Sequence, residues 1–357
     1  GAALIWKADL HRFSYAARPN PHFIGGKAYI GGKFVDIGIL FPKAGSNQVI
    51  CYFVTKSDAG DLGRREQAQN SDPYRLQVIR FDASTGLLKN HLQLPARFGI
   101  SSVMSSYDGK FIVRTGNLLT LYTSGFKALK RRVLPNTGEY DEWSVRLSPS
   151  GKTLLVDHYR PFRSQHFVMG TSSFAPLVPS AEGTLFPLFA ISDNAITKPD
   201  AGQRSISIGD FRGGWRKLAT ALHCVSNPVF LKDDKILNAC EHEVVVLATN
   251  GDELMRDHLN NNEHLEELVS VTPDGAFFAV SAAKSKGGFM DLSSVKRSDT
   301  TILVYNVGSH KRIFRIRVDP VPHADYDFAL APDGSKLAIM IDGSVKVYML
   351  NPKATAK

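Results

Sequence analysis

The sequence predicts an all-β fold built from seven copies of one four-stranded antiparallel unit. Two observations support this prediction: a recurring hairpin turn and a regular spacing between its copies. In the clearest copy, residues 328–340, two apolar runs flank the turn residues Pro332, Asp333 and Gly334. Asp-Gly between two β-prone runs is a strong hairpin signal. Apolar runs with helical periodicity are few and none is long, which argues against a helical fold.

The hairpin recurs along the chain at a nearly constant interval. Three further clear copies lie at 103–113, 145–156 and 269–280. Four of the six intervals between successive turns are 40 to 43 residues long, and the other two are longer because of insertions. Four strands of about five residues with short turns fill about 40 residues, so one interval fits one unit. The turn glycines, or the residues in their place, are Gly45, Gly109, Gly151, Asn194, Asp234, Gly275 and Gly334.

Each predicted strand is a short run rich in β-branched and aromatic residues and bounded by turn residues. In units one to three the runs are 35–41, 48–55, 75–82, 87–94, 101–106, 110–114, 118–122, 127–134, 143–148, 153–159 and 166–171, and the fourth strand of unit three is poorly marked. In units four to six they are 185–191, 195–198, 205–209, 215–222, 228–232, 235–240, 243–248, 253–258, 268–272, 277–283, 301–306 and 312–318.

The last unit has only three strands, 327–331, 336–341 and 345–350, before the chain stops at Lys357. The N-terminal segment 1–33 contains strand-like runs at 3–7 and 27–30, and one of these can supply the missing outer strand. Closing a ring in this way removes open sheet edges. We therefore predict one domain over 1–357, a seven-bladed β-propeller of four-stranded antiparallel blades closed by its N-terminal strand.

Several short motifs resemble those of a known repeat superfamily. They are Ser-Pro-Ser-Gly at 148–151, Thr-Pro-Asp-Gly at 272–275 and Ala-Pro-Asp-Gly at 331–334, with third-strand runs at 302–307 and 345–350. In these motifs the chain resembles the seven-bladed propellers of the WD40-like and YVTN-like superfamily. The resemblance implies the propeller fold over most of the chain, and it points to no particular enzyme family.

Two insertions, at about 56–74 and 283–300, lie between the second and third strands of their units. In a propeller such loops emerge on the face that also holds the connections between blades, and long polar loops on a rigid scaffold are often functional. We predict that a protein, a small ligand or a glycan binds this face, unless the loops are mobile decoration or contact a neighbouring subunit. The candidate residues are basic or aromatic: Arg64, Arg65, Tyr159, Arg160, Lys284, Lys286 and Phe289.

A second candidate site lies at the mouth of the central channel, just before two inner strands. Convergent carboxylates and a histidine there could hold a metal or act as acid and base. Alternatively, the aspartates cap turns and bind backbone N–H groups of successive blades. The sequence contains no nucleophile elbow, P-loop, dinucleotide fingerprint or zinc-type spacing, so no cofactor and no metal are predicted. The channel-mouth residues are Glu139, Asp141, Glu142, His323, Asp325 and Asp327.

Charge and cysteines limit the partners and the compartment. The net charge is +9, but the basic residues are scattered, which disfavours a nucleic-acid partner. No apolar run is long enough for a membrane span.

Cys224 and Cys240 flank one turn and form either a disulfide or two buried thiols, while Cys51 stands in an apolar run. A disulfide would indicate an oxidising compartment, and a chain starting at Gly1 fits a processed N-terminus or a cloning remnant.

These observations predict a non-catalytic ligand- or protein-binding propeller, exported by a bacterium to the periplasm or the extracellular space. The alternative is a propeller enzyme, a lactonase-like hydrolase or a quinoprotein-like dehydrogenase, that uses the channel mouth. The two classes differ in what the channel mouth must contain, because only the enzyme requires a convergent metal or cofactor site there.

Overall fold

The structure is a computed structural model that describes residues 2–15, 37–44, 47–56, 74–96, 101–135, 143–158, 164–178, 181–184, 190–199, 204–212, 214–218, 222–226, 228–260, 262–286, 296–320 and 326–350. In these residues the chain forms seven four-stranded antiparallel sheets, arranged as the blades of a propeller. Helical structure is limited there to short 3-10 turns such as His11–Phe13. The predicted fold class is therefore confirmed. No helix in the described ranges is long and apolar enough to cross a membrane.

The first four blades follow one another along the chain. Blade 1 contains β2 (Ile37–Leu40), β3 (Gln48–Lys56), β4 (Tyr74–Asp82) and β5 (Leu88–Ala96). Blade 2 contains β6 (Ser101–Ser105), β7 (Phe111–Thr115), β8 (Leu118–Tyr122) and β9 (Ala128–Val133). Blade 3 contains β10 (Trp143–Leu147), β11 (Thr153–His158), β12 (Ser164–Gly170) and β13 (Ala181–Thr184). Blade 4 contains β14 (Ala190–Ile191), β15 (Ala195–Pro199), β16 (Ile206–Asp210) and β17 (Arg216–Lys217).

The last three blades complete the ring. Blade 5 contains β18 (Val229–Phe230), β19 (Ile236–Cys240), β20 (Glu243–Leu247) and β21 (Glu253–His258). Blade 6 contains β22 (Glu263–Val271), β23 (Phe277–Lys286), β24 (Lys296–Asn306) and β25 (Lys311–Arg317). Blade 7 combines β26 (Tyr326–Leu330), β27 (Lys336–Ile341) and β28 (Ser344–Leu350) with β1 (Ala2–Asp9).

The N-terminal strand closes the ring as predicted. β1 pairs antiparallel with β28, from Ala2 opposite Leu350 to Asp9 opposite Ser344. Its Trp6 side chain is buried and lies 5.6 Å, centroid to centroid, from the ring of Phe81 in blade 1. The Trp6 indole Nε1 also donates to the Ala83 carbonyl at 3.0 Å. The closing strand thus belongs to blade 7 and packs directly against blade 1.

Apolar clusters fill the spaces between neighbouring blades. Several middle strands of the blades are covered on both faces, which explains why they are nearly continuous apolar runs instead of alternating ones. In β20, for example, all residues from Val244 to Leu247 are buried. The seam between blades 3 and 4 has a smaller apolar cluster, whose buried members in the described residues are Leu155, Val168, Ile191 and Ile196. Hydrogen bonds from Ser148 and Ser150 in blade 3 to Asp193 in blade 4 add to this seam.

The turns between the first and second strands of the blades share one side of the ring, which we call the turn face. Successive turns touch there: Tyr107 N–H donates to the Gly151 carbonyl at 3.1 Å, and Lys232 N–H to the Gly275 carbonyl at 3.1 Å. Gly275 has a φ of +64°, and a Cβ at this position would lie 2.1 Å from the Lys232 nitrogen. Glycine is needed here because the two backbones approach so closely.

Blade 4 departs most from the sequence prediction. Of the predicted strand 185–191, Ala190–Ile191 is strand and 185–189 lie outside the described residues. Of the predicted strand 215–222, Arg216–Lys217 is strand, the described residues 215, 218 and 222 are not, and 219–221 lie outside the described residues. The poorly marked fourth strand of blade 3 lies at Ala181–Thr184.

The face opposite the turn face is the one on which the two insertions begin; we call it the insertion face. Of the predicted insertion 56–74, residues 57–73 lie outside the described residues. At the second insertion, β23 and β24 continue as a paired ribbon up to Lys286 opposite Lys296. Residues 287–295 lie outside the described residues, and the described half of the predicted insertion, 283–286 and 296–300, is strand.

Candidate functional site

A cavity of about 220 Å³ opens on the turn face, bounded by the first turns of blades 3 to 6. We call it the turn-face cavity. It combines polar turn residues with a small apolar patch from blade 5, and no histidine or cysteine is among its described lining residues. The lining residues are Pro149, Ser150, Ser192, Asp193, Asn194, Phe230, Leu231, Lys232, Asp233, Asp234, Pro273, Asp274 and Gly275.

The cavity is acidic although the protein is basic. Four carboxylates, from Asp193, Asp233, Asp234 and Asp274, line it together with a single ammonium group, that of Lys232. The whole chain, by contrast, has a net charge of +9. In the described residues no group of three or more His, Cys, Asp or Glu side chains is placed to hold a metal ion. The carboxylates are therefore spread around the rim, an arrangement that suits a ligand with several separated hydrogen-bond donors.

Asp193 connects blades 3 and 4 at the cavity wall. Its Oδ1 accepts hydrogen bonds from Ser148 Oγ at 3.0 Å, Ser150 Oγ at 2.6 Å and Thr153 Oγ1 at 3.2 Å. Three hydroxyl donors on one oxygen hold the carboxylate in a fixed orientation. Among the described residues none donates to its Oδ2, which leaves that oxygen available to a ligand.

Lys43 lies beside this pair of blades, although it comes from the first turn of blade 1. Its backbone N–H donates to Ser105 Oγ at 2.9 Å, and its ammonium group donates to the carbonyl of Pro149, a cavity-lining residue. Burial lowers the pKa of the Lys43 amine to about 8, in spite of the nearby Asp193 charge, which raises it. Burial disfavours the charged form of an amine, so the Lys43 ammonium group loses its proton at a lower pH than an exposed lysine does.

The two aspartates of blade 5 are held by an unusual turn. Asp233 and Asp234 have φ values of +59° and +53°, a left-handed conformation that Asp tolerates better than most residues. Lys235 Nζ lies 3.3 Å from Asp233 Oδ2, whereas Asp234 has no hydrogen bond or ion pair with a described residue. Asp274 in blade 6 is occupied by its own turn, because it accepts from Thr272 Oγ1 at 2.7 Å and Ala276 N–H at 3.0 Å. Among the described residues, donors therefore reach neither Asp234 nor the Oδ2 atoms of Asp193 and Asp274.

The predicted insertion-face site lies mostly outside the part of the chain that the structure describes. Arg64, Arg65, Tyr159, Arg160 and Phe289 lie outside the described residues, and for Lys286 only the backbone, in β23, is described. That these residues bind a ligand stays a prediction.

Lys284 is the one side chain of that site which the structure describes. Its Nζ lies 3.8 Å from Glu263 Oε1, and Arg315 also donates to Glu263, which is only 2% exposed. Desolvation raises the pKa of this carboxyl, but the hydrogen bond and charge of Arg315, together with the charge of Lys284, bring the pKa below its usual value. Lys284 therefore has a structural partner in its own blade.

The channel-mouth site is described at one residue. Glu139, Asp141, Glu142, His323 and Asp325 lie outside the described residues. Asp327 lies in β26, is 2% exposed, and its Oδ2 accepts from the backbone N–H of Ile39 in blade 1 at 2.9 Å. This bond joins the inner strands of blades 7 and 1. It agrees with the alternative interpretation, in which aspartates bind backbone N–H groups of neighbouring blades. An acid-base or metal site at the channel mouth stays a prediction.

Cys224 and Cys240 form a disulfide, which decides between the two alternatives left open by the sequence. It links the connection between blades 4 and 5 to the end of β19. Asn238 supports the same segment, since its Nδ2 donates to the Cys224 carbonyl at 2.9 Å and its Oδ1 accepts from Ser226 N–H at 3.2 Å. Cys51 is a free buried thiol, and burial raises its pKa far above the usual value.

Sequence reasoning missed the turn-face cavity. Its signal was present as aspartates and serines in consecutive first turns, for example Asp233 and Asp234, which were interpreted only as a turn between two cysteines. Turns at the same position of each blade meet on one face of a propeller, so aligned polar turns can indicate a site. The sequence does not, however, indicate which neighbouring turns leave a gap between them.

No protein-family model matches this chain, and no curated protein matches it in sequence. Similar solved structures include the β-propeller domain of Cps50 (Swd1) from Myceliophteria thermophila, at 10% identity and a TM-score of 0.55, covering 89% of this chain and 97% of that one. A streptogramin B lyase has 11% identity and a TM-score of 0.53, covering 91% and 96%. A chain of a mitotic checkpoint complex has 12% identity and a TM-score of 0.54, covering 94% and 93%.

At these identities the likeness shows the fold alone. It agrees with the seven blades described above and with the resemblance to WD40-like propellers at the level of architecture. The three neighbours are a propeller domain, a lyase and part of a checkpoint complex, so their roles differ widely. Function has to be inferred from this chain's own site.

Proposed function

We propose that this chain is a non-catalytic binding propeller whose turn-face cavity holds a cationic group of its ligand. The observation that supports this most directly is the placement of four aspartates and one lysine around a cavity of about 220 Å³ on a protein of net charge +9. A locally acidic site on a basic surface selects cations by electrostatic complementarity.

Binding is favoured over turnover by the chemistry of the lining. Neither a histidine nor a cysteine is among the described lining residues, so the two side chains most used for proton transfer and nucleophilic attack near neutral pH are missing from them. Two of the carboxylates are already engaged, Asp193 Oδ1 by hydroxyls and Asp274 by its own turn. The acceptors that remain suit a bound guanidinium or ammonium group.

The size of the cavity narrows the ligand class. Sites for drug-sized ligands have volumes of about 300–1,000 Å³, and this cavity is smaller. It fits one arginine or lysine side chain. We therefore propose that the ligand is a protein or peptide that inserts a basic side chain, with the guanidinium of arginine preferred because it can bind separated carboxylates at once.

The disulfide between Cys224 and Cys240 supports an oxidising compartment, because such bonds form and persist mainly outside the reducing cytosol. Periplasmic or extracellular localisation, with export by a bacterium, is part of this proposal. The proposed partner protein is then located in the same compartment.

The test is calorimetric titration of the protein with N-acetyl-arginine amide, using N-acetyl-glutamine amide as the uncharged control. We expect binding of the first compound alone. Asp234→Asn and Asp193→Asn each remove a charge at the cavity while keeping an acceptor, and each should weaken binding about tenfold or more, since hydrogen bonds to charged groups contribute about 1.5–3 kcal/mol.

Asp333→Asn is the matched control, because it makes the same change in the corresponding turn of blade 7, outside the cavity lining. Its affinity should equal that of the unchanged protein. Replacing 57–73 by a short Gly-Ser linker should also leave binding intact, which separates this site from the insertion face. Equal affinities for the arginine and glutamine compounds, or equal losses in Asp333→Asn and Asp234→Asn, would refute the proposal.

A further inference from the structure

A second interaction surface lies on the outer strand of blade 2, away from the turn-face cavity. β9 pairs with β8 along one edge, and no described strand pairs with its other edge. Five of its six residues are exposed, and Arg132 is partly buried instead. A free sheet edge of this kind is a template for an additional strand.

The backbone of β9 offers regularly spaced groups for such a strand. Leu134 N–H donates to the Asn117 carbonyl at 2.7 Å, so the backbone groups of Leu134 point into the blade. The register between β8 and β9 is regular from Val133 to Lys130. Because consecutive residues of an antiparallel ladder alternate in direction, the N–H and C=O groups of Arg131 and Val133 point outward.

Basic side chains are concentrated in β9 and directly before it. Lys127, Lys130, Arg131 and Arg132 lie in or directly before the strand, and no ion pair joins them to a described carboxylate. Arg132 instead donates to the Phe174 carbonyl at 3.1 Å. Within the described part of the chain, the strand therefore presents positive charge without a carboxylate partner along this edge.

The outer strand of blade 6 makes the contrast clear. β25 is equally basic, but its arginines are paired within the ring. Arg312 Nη1 lies 3.5 Å from Asp257 Oδ2, Arg317 Nε lies 2.9 Å from Asp299 Oδ1, and Arg315 donates to Glu263. Among the described residues, the arginines of the outer strand of blade 6 thus have carboxylate partners, whereas the basic residues of β9 have none.

Two large apolar side chains accompany the charges of β9. Leu129 is 50% exposed and Val133 is 73% exposed. A polyanion such as heparin or nucleic acid would make use of the charge alone. A protein strand would also cover the apolar side chains and bind the outward backbone groups. We propose that β9 is a docking edge that takes an extended acidic segment of a partner protein as a fifth strand of blade 2.

The test uses a fluorescein-labelled octapeptide of alternating glutamate and valine, followed by fluorescence anisotropy at about 0.1 M salt. We expect saturable binding to the intact protein. Lys130→Glu with Arg131→Glu should weaken it about tenfold or more through charge repulsion. Lys7→Glu with Lys311→Glu is the matched control, since it reverses two exposed charges on the outer strands of blades 7 and 6. This control should bind as the unchanged protein does.

A second peptide separates strand addition from simple charge attraction. It has the same sequence, with alternate backbone nitrogens methylated so that they cannot donate, and it should not bind. Val133→Pro removes one outward N–H without breaking a bond inside the blade, and proline is tolerated on sheet edges, so this variant should fold and bind more weakly than Val133→Ala. Equal binding of both peptides would show a polyanion surface and overturn the proposal, as would no binding of either peptide up to 1 mM.

Discussion

The ammonium group of Lys43 donates to the carbonyl of Pro149, a residue 106 positions away in the sequence. The two turns belong to blades 1 and 3, with blade 2 between them in the chain, and the ring brings them together. No pattern around Lys43 indicates this contact, because hydrogen bonds between turns depend on how the blades are arranged. The same holds for Asp327 and Ile39, which are 288 positions apart. At the scale of residues, the sequence predicted that aspartates could bind neighbouring blades, but it could not predict which atoms they bind.

The lowered pKa of Lys43 should make stability depend on pH. The amine has a pKa of about 8 in the folded protein and its ordinary value of 10.5 in the unfolded chain. Unfolding therefore takes up protons between these two values, and the free energy of unfolding rises with pH through that window. From pH 7 to pH 9.5 we expect this group to add about 2 kcal/mol, at 1.36 kcal/mol for each pKa unit.

Urea denaturation of the unchanged protein and of Lys43→Met, at several pH values between 7 and 9.5, isolates this contribution. The variant should lose that part of the pH dependence, while Lys89→Met, a change at an exposed lysine, should keep it. Parallel pH profiles for all three proteins would show that the Lys43 amine titrates as in water.

At the scale of elements, strands next to a clear turn were predicted closely. β27 (Lys336–Ile341) and β8 (Leu118–Tyr122) have the predicted bounds, because apolar runs and turn residues define both ends. The fourth strand of blade 4 was predicted too long, since Arg216–Lys217 is only two residues and the described residues 215 and 218 on either side of it are not strand. The length of a strand depends on what its partner can pair with as well as on its own propensity. Sequence runs alone do not contain that information.

The disulfide is an element-scale constraint whose removal can be measured. Cys224 and Cys240 are 16 residues apart, and closing a loop of this length stabilises a folded protein by about 3 kcal/mol. We expect the double variant Cys224→Ser with Cys240→Ser to lose about this free energy of unfolding in urea. A reducing agent should lower the stability of the unchanged protein to that of the variant and leave the variant unaffected. An unchanged denaturation midpoint in the variant would contradict a stabilising role.

At the scale of the whole molecule, the number of blades followed from the spacing of the turns, and ring closure followed from the missing outer strand. Both predictions are confirmed by the pairing of β1 with β28. The turn-face cavity, by contrast, was not predicted from the sequence. It is formed by turns of four blades, from Pro149 in blade 3 to Gly275 in blade 6, and its existence depends on the gaps between neighbouring turns. Some neighbouring turns are in contact, as Tyr107 and Gly151 are. The sequence does not show which other neighbouring turns are separated by a gap.

Closure of the ring depends on one large side chain in the N-terminal strand. Trp6 is 9% exposed, packs on Phe81 and donates to Ala83, and Gly86 lies directly beneath its ring, since a Cβ there would be 2.8 Å from Trp6. Trp6→Ala would leave a cavity between blades 7 and 1 and cost about 3–5 kcal/mol of unfolding free energy. Chemical denaturation measures this loss.

Leu4→Ala is the control for this variant, because Leu4 lies in the same strand but is 54% exposed, and exposed substitutions usually change stability by about 0.5 kcal/mol or less. Gly86→Ala tests the same contact from the other side. It combines a φ of +72° with a clash against the indole, so it should destabilise the protein as well. If Trp6→Ala were no more harmful than Leu4→Ala, the backbone pairing of β1 with β28 would suffice to close the ring. A clear difference would show that the ring is held shut mainly by the packing of Trp6 between the last blade and the first.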